Sequence, residues 1–312
     1  MVTLQQLEYI IAVDQYQHFV EASKACFVTQ PTLSMQIKKL EEDLGEIIFD
    51  RSKQPIIPTE VGRQIIAQAR KTLAEYQKID EVIKTYHNDV SGELNIGIIP
   101  TLAPYLLPLF VGEVTRSYPK VKAKVVELLT SEILSQLKKG LIDIGILVTP
   151  IDEKGIFTKP LFYEEMFVYA NRAHPFGKRD SVRVQELESS DLWMLSEGHC
   201  FRSQVVNLCD YNPDYRNKFT IEYESGSLET LKRMVQKEGG YTLIPELAID
   251  ADLPPNILIK SFTGEHPLRE VSLVYSRNFV KKRLIDIWAE SIQKAVPPHL
   301  LDNNRGGIVE WW

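Results

Sequence analysis

The spacing of hydrophobic positions changes along this chain, and the changes divide it. Over residues 1–59 apolar residues recur at helical spacing with short breaks: Leu4, Leu7, Ile10 and Ile11 mark one face, and residues 18–27 carry a second, shorter helix. In VTQPTLSMQIKKLEEDLG, Leu33, Ile37, Leu40 and Leu44 recur at intervals of four, three and four. Thr29, or Gln30 at the same junction, suits an N-cap, Pro31 the first turn and Gly45 the C-cap. Two short helices joined by about four residues, the second opening on small polar side chains and closing on a charged face, outline a helix-turn-helix. IIFDRSKQPIIPTEVG then alternates apolar and turn residues and predicts a two-stranded wing.

Residues 59–87 predict one long helix. Its stripe of Ile65, Ala69, Thr72, Tyr76, Ile79, Ile83 and Tyr86 keeps a 4-3 spacing. That run of about three heptads predicts a face for a partner helix, with packing on the chain's own domain as the alternative. Beyond the turn at 89–93, short apolar strands alternate with helices, the pattern of an α/β domain. Segments 94–100, 122–128 and 143–148 predict buried parallel strands, with helices over 102–117 and 131–140. A second series follows: strands at 166–172, 191–197, 218–224 and 241–247, helices at 201–209 and 227–238, a late strand at 269–277 and a terminal helix at 279–296. Two such series predict two lobes flanking a cleft where strand ends and helix N-termini converge. The tail, DNNRGGIVEWW, predicts no element.

Composition adds boundaries to this picture. A chain of 312 residues with 44% apolar content can bury a sizeable core and divides into two or more domains. It has no run of eighteen apolar residues and no basic N-terminus followed by an apolar stretch, so a cytoplasmic protein with no membrane partner is expected. No metal-ligand cluster, phosphate-binding Gly loop or Ser/His/Asp arrangement stands out, and neither cofactor nor metal is assigned.

The net charge of −6 argues against a nonspecific nucleic-acid coat, but charge is distributed locally. Residues 1–90 hold 10 basic against 13 acidic side chains, yet residues 22–40 hold three lysines and no acid. Base edges are read by amides, hydroxyls and apolar tips at a helix N-terminus, and phosphates by cations. Gln30, Thr32, Ser34, Met35 and Gln36 occupy the first kind of position; Lys38, Lys39 and Arg51 occupy the second, with Thr29 and Pro31 opening the helix. The alternative is a capped helix with a solvated lysine face.

The span HFVEASKACFVTQPTLSMQIKKLEEDLGEIIFDRS, with Pro58-Thr59-Glu60-Val61-Gly62, resembles the winged helix-turn-helix of the LysR-type transcriptional regulators. The resemblance extends over residues 1 to about 297. It implies a DNA-binding domain over 1–58, a linker and dimerisation helix over 59–89, a two-lobed periplasmic-binding-protein-like α/β effector domain over 90–300 and a tail over 301–312. It further implies a homodimer or homotetramer on double-stranded promoter DNA that works with RNA polymerase, and a regulator rather than an enzyme.

GHCFRSQVVNLC, 198–209, holds two of the three cysteines. Three thiols do not make a disulfide framework. Cys209, after Val205, Val206 and Leu208, can be a small buried hydrophobe. Cys200 opens a helix and is followed by Arg202, and a helix N-terminus with a cation lowers a thiol pKa. A thiolate there reacts with peroxide to a sulfenic acid, which a second thiol resolves. In one helix the two Cα atoms lie about 13 Å apart, against about 7 Å at most for a disulfide. Bonding therefore requires the helix to unwind. Cys26, among Ala22, Ala25 and Phe27, reads as a small hydrophobe of the reader helix.

The Gly198-His199-Cys200-x-Arg202 lead with Cys209 is similar to the peroxide-sensing motif known within the LysR family. Ile99-Pro100-Thr101, Pro104 to Pro108, Ser227 to Leu231 and Arg269 before Leu273-Val274-Tyr275 match as well. The resemblance implies a regulator of oxidative-stress genes activated by hydrogen peroxide through a Cys200–Cys209 disulfide. It implies a peroxide pocket lined by Thr101, Thr130, His199, Cys200, Arg202 and Arg269. Two rivals remain at this stage: a LysR-type regulator answering a small metabolite in the cleft, and a thiol peroxidase using the same pair.

Overall fold

The computed structural model describes residues 1–86, 90–187, 189–209, 225–276 and 281–310. The chain opens with α1 (Leu4–Tyr16), α2 (Phe19–Ala25) and α3 (Gln30–Leu44), followed by a small antiparallel wing of β1 (Phe49–Asp50) and β2 (Ile57–Pro58). Thr29 caps α3, its Oγ1 accepting from the Thr32 N–H at 3.4 Å, and Gly45 ends it in the left-handed region at φ 72°. Leu33, Ile37 and Leu40 pack with Ile10, Val13 and Phe49 in one core, while Leu44 stays exposed.

The long helix α4 (Glu60–Tyr86) splits its apolar stripe between two tasks. Ile66 and Ala69 join the core beneath α1, whereas Tyr76, Ile79, Val82 and Ile83 are exposed. The first half thus packs on its own domain, and the second presents an apolar face to solvent.

The first lobe holds β3 (Gly92–Ile98), α5 (Ala103–Ser117), β4 (Val121–Glu127), α6 (Thr130–Lys139) and β5 (Ile144–Thr149), with β4, β3 and β5 parallel in that spatial order. β5 is buried throughout, but β4 is an edge strand with Lys122, Lys124 and Glu127 exposed. The expectation of a third buried strand fails at β4, whose charges protect an open edge instead.

Then come β6 (Ile156–Asn171), α7 (Cys200–Leu208), α8 (Leu228–Glu238), β7 (Tyr241–Pro245), β8 (Ile257–Lys260), β9 (Pro267–Ser276), α9 (Lys282–Ala295) and β10 (Gly307–Ile308). β6 runs through both lobes. Up to Glu165 it pairs antiparallel with β9, and from Met166 on it pairs antiparallel with β7 and β8. β9 in turn pairs antiparallel with β5, tying the first sheet to the crossing strands. Each lobe has its own core: Ile96, Ile146, Phe162, Leu273 and Trp288 belong to the first, and Val168, Trp193, Val205, Leu231 and Leu243 to the second. Tyr105 on α5 reaches across to α8, its Oη donating to Glu229 at 2.7 Å.

Three expectations need correcting. Residues 191–197 do not form a strand; after a 3-10 turn at Ser189–Asp191 their ladder contacts are isolated bridges, Leu192 to Tyr241 and Leu195 to Ser225, although Leu192, Trp193 and Leu195 pack in the second core. β6 starts at Ile156 rather than 166, with a register shift around Pro160 that accommodates the missing N–H. β8 and β10 were not expected. The strand expected at 218–224 and the start of the helix expected at 279 lie outside the described residues.

A cluster of hydrogen bonds links the N-terminal domain to the first lobe. At the C-terminus of α6, the Lys139 carbonyl accepts from Gln15 Nε2 at 2.9 Å and from Arg70 Nη1 at 2.6 Å, while Arg70 Nη2 pairs with Asp14 at 2.7 Å. A cation at exposed terminal carbonyls favours the helix dipole. Among the described residues, no helix is long and apolar enough to cross a membrane.

Candidate functional site

Three chain segments converge on Cys200. The turn after β3 brings Ile99, Pro100 and Thr101; α6 brings Thr130 at its first position; α7 brings Cys200 at its first position, with Gly198 and His199 just before it. Two helix N-termini therefore face one narrow pocket, and both favour negative charge there. Gly198 is required by its backbone: φ is +90°, and a Cβ would sit 3.2 Å from Leu129 Cδ1. The segments close so tightly around Cys200 that no space for a water-sized sphere is left between them. Small-molecule sites enclose about 300–1,000 Å³, and this closed cleft is far smaller.

Arg269 lies beside the pocket, fully buried. Its Nη1 donates to Thr101 Oγ1 at 3.2 Å and its Nη2 to the Thr101 carbonyl at 3.1 Å. Nε lies 2.7 Å and Nη2 2.6 Å from Glu164 Oε1, and the guanidinium stacks on the Phe201 ring at 5.4 Å. Glu164 is equally buried, with the Leu247 N–H donating to its other oxygen at 3.2 Å. Burial pushes the Glu164 carboxyl up, and Arg269 opposes that shift.

Burial also pushes the Cys200 thiol above its ordinary range; Arg269, then the Thr130 hydroxyl and the α7 backbone N–H groups, pull against it. The resting thiol is therefore not acidic, contrary to the sequence expectation, because the first turn of α7 is buried as well as cationic. The Thr130 hydroxyl is itself buried with no nitrogen or oxygen partner in the structure. His199 is buried, and loss of solvation lowers its pKa, leaving the imidazole neutral near pH 7. Thr101, Thr130, His199 and Cys200 are thus brought together, with Arg269 one hydrogen bond away. Arg202, expected in the pocket, is not among its lining residues; its Nη1 donates to the Leu195 carbonyl at 3.0 Å.

Cys209 is the C-cap of α7, its N–H donating to the Val205 carbonyl at 2.9 Å. Both thiols are free. The intervening helix holds their Cα atoms roughly 13 Å apart, which rules out a bond in this state. They also belong to different cores: Cys200 packs in the first lobe and Cys209 in the second. Burial raises the Cys209 pKa to about 12.

In the N-terminal domain Gln30, Pro31, Met35, Lys38 and Lys39 are exposed on α3, while Thr32, Ser34 and Gln36 are half-buried. Thr29 is exposed and bonded through Oγ1 to the Thr32 hydroxyl at 2.8 Å. Arg51 pairs with Glu41 at 2.8 Å and stacks over Phe19. Two residues of interest escape sequence reasoning. Glu164 pairs with Arg269 across the β6–β9 register, which no local pattern announces. Phe27, in the turn before α3, has φ 56° and a side chain 96% exposed. A bulky residue in the left-handed region is rare enough to mark that turn.

Comparison with known proteins bears on both sites. Residues 4–63 match the family model described as "Bacterial regulatory helix-turn-helix protein, lysR family", and residues 87–297 match "LysR substrate binding domain". The Escherichia coli K12 protein named "DNA-binding transcriptional dual regulator OxyR" is 33% identical over 298 residues, covering 95% of this chain and 96% of the relative. Full-length OxyR of Pseudomonas aeruginosa, in a cysteine-to-aspartate form, superposes with a TM-score of 0.80 at 35% identity, covering 95% of this chain and 99% of that one. OxyR of Corynebacterium glutamicum, a cysteine-to-serine mutant with hydrogen peroxide bound, gives 0.62 at 30% identity, covering 94% and 92%.

Proposed function

The chain belongs to the LysR family of bacterial transcription regulators, and we propose that it is a hydrogen-peroxide-responsive activator of oxidative-stress genes, with Cys200 and Cys209 as its switch. The observation that carries this reading is the placement of Cys200, buried at the first position of α7 with Thr101, Thr130 and His199 closed around it. The chain is a regulator and not an enzyme.

In the first step the Cys200 sulfur attacks one peroxide oxygen. The S–O bond forms, the O–O bond breaks, and the departing hydroxide takes the thiol proton to leave as water. Sulfur loses two electrons and peroxide gains them. Arg269 and Thr101 hold the peroxide, Thr130 donates to the sulfur as it becomes negative, and His199, neutral, closes the pocket; Arg202 holds the first turn of α7 against Leu195. In the second step the Cys209 thiol attacks the sulfenic sulfur, forming the disulfide and releasing water. An external dithiol returns the pair to thiols by exchange. Closure requires α7 to unwind and draws a residue of the second core toward the first.

The domain limits are those stated from the sequence: a reader over 1–58, a linker over 59–89, an effector over 90–300 and a tail over 301–312. Gln30, Thr32, Ser34 and Met35 contact base edges of double-stranded promoter DNA, and Thr29, Pro31, Lys38, Lys39 and Arg51 position the helix against the backbone. Two copies pair through the exposed stripe of Tyr76, Ile79, Val82 and Ile83, and the assembly, a dimer or tetramer, recruits RNA polymerase in the cytoplasm.

The test is mass spectrometry after substoichiometric hydrogen peroxide, with promoter footprinting on both redox forms. A Cys200–Cys209 disulfide and an altered footprint, both lost in Cys200→Ser, are expected. Absence of the disulfide in the native protein would sink the reading.

A further inference from the structure

The redox reading makes no use of the C-terminal segment, yet that segment is bonded to the switch helix. After 3-10 turns at Pro298–Leu301 and Asn303–Arg305, β10 joins β9 as a parallel strand, Gly307 opposite Pro267 and Ile308 opposite Leu268. The Gly307 N–H donates to the His266 carbonyl at 2.9 Å and the Val309 N–H to the Leu268 carbonyl at 2.8 Å. The approach is so close that a Cβ on Gly306 would lie 2.0 Å from the His266 carbonyl oxygen. Arg305 anchors the segment, its Nη2 3.0 Å from Glu246 and 3.9 Å from Glu165. These carboxylates also hold His299 at 2.7 Å and His266 at 2.5 Å.

From this seat two backbone carbonyls meet α7. Gln204 Nε2 donates to the Val309 carbonyl at 2.9 Å, and Asn207 Nδ2 to the Glu310 carbonyl at 2.9 Å. Gln204 and Asn207 are three residues apart, hence on one face of the helix. Both lie between the two cysteines. Gln204 is fully buried, so its amide depends on this partner.

We propose that the segment 305–310 is a positioning clasp for the thiol switch, holding α7 helical and Cys209 away from Cys200 until the clasp yields. It rests on the redox reading above. Unwinding α7 displaces both amides from carbonyls that β10 and Arg305 hold in place. The clasp therefore opposes the second step, in which the Cys209 sulfur bonds to the Cys200 sulfur, the S–O bond breaks and hydroxide leaves with the thiol proton as water. It does not oppose the first step, which takes place at the opposite end of α7 from Asn207. The double glycine at 306–307, silent in the sequence, is what allows the segment to lie against β9.

The test uses the full-length protein and Gly306→Val, whose side chain meets the His266 carbonyl, with Arg305→Gln as a second variant that severs the anchor. Sulfenate formation is followed by dimedone trapping, disulfide closure by quenched alkylation and mass spectrometry, and the α7 amides by hydrogen exchange. Closure roughly tenfold faster is expected in both variants, the change that losing one or two neutral hydrogen bonds gives, with sulfenate formation within about twofold of native and faster exchange over 202–208. Closure that is unchanged or slower in both variants overturns the clasp. A native protein that forms no Cys200–Cys209 bond overturns the redox reading instead, so the two failures are distinguishable.

Discussion

At Cys200 burial and charge act in opposite directions, and burial prevails in the resting state. Reactivity then depends on the few groups that favour the thiolate, of which the Thr130 hydroxyl is the most cleanly removed. Thr130→Val deletes a buried donor with no other nitrogen or oxygen partner, so no acceptor is orphaned and thermal stability should hold or rise. Oxidation of Cys200 should slow by about 10- to 100-fold, as expected for a hydrogen bond to a charged group. A stopped-flow rate equal to native would remove Thr130 from the pocket's chemistry. His199 makes a second prediction. Its pKa in the folded protein is lowered, so the unfolded chain binds more protons as the pH drops through the ordinary histidine range near 6.5. The stability it permits is complete above that value and is lost as the pH falls toward the lowered folded value. A melting-temperature profile from pH 8 to 5 should therefore decline less in His199→Gln than in the native protein; parallel profiles would show that His199 charges freely.

At the scale of elements, α7 is a helix of moderate propensity, with Val205, Val206, Ser203 and Asn207 among its nine residues. Ser203→Ala raises helix propensity by about 0.5 kcal/mol, which should slow disulfide closure about twofold and leave sulfenate formation unchanged. Closure at the native rate would mean that unwinding of α7 does not limit it. Much of this element was legible: GHCFRSQVVNLC carries the spacing, the helical reading and the separation of the thiols. The surroundings were not. That Cys200 and Cys209 belong to different cores follows from β6 threading both lobes, and Pro160, Glu164 and Glu165 hid the first half of that strand. Glu164 and Arg269 meet only through the β6–β9 register, a long-range pairing that local periodicity does not encode. The reader helix was legible to its caps because Thr29, Pro31 and Gly45 act locally, as helix ends do. The tail was illegible for the opposite reason: its strand exists only against β9.

At the scale of the whole molecule, α6 runs from the thiol pocket to the N-terminal domain. Its first residue, Thr130, lines the thiol pocket, and its last carbonyl, at Lys139, is held by Arg70 of α4 and Gln15 of α1. A helix of ten residues is stiff over its roughly 15 Å, so a displacement at the pocket moves the far end with little loss. The far contact is charge-assisted and half-buried, with Arg70 also fixed by Asp14. Couplings between sites are typically about 1–3 kcal/mol, within what one such contact supplies. Arg70→Ala should therefore leave both thiol steps at native rates, since no part of the pocket is touched. The ratio of promoter affinities between disulfide and reduced forms should shrink toward one, while Arg70→Lys keeps the charge and recovers part of it. The measurement is promoter binding by both redox forms of each variant at one salt concentration, because phosphate contacts make affinity salt-dependent. A native ratio in Arg70→Ala would mean that the signal bypasses α6 and travels through the pairing of subunits instead.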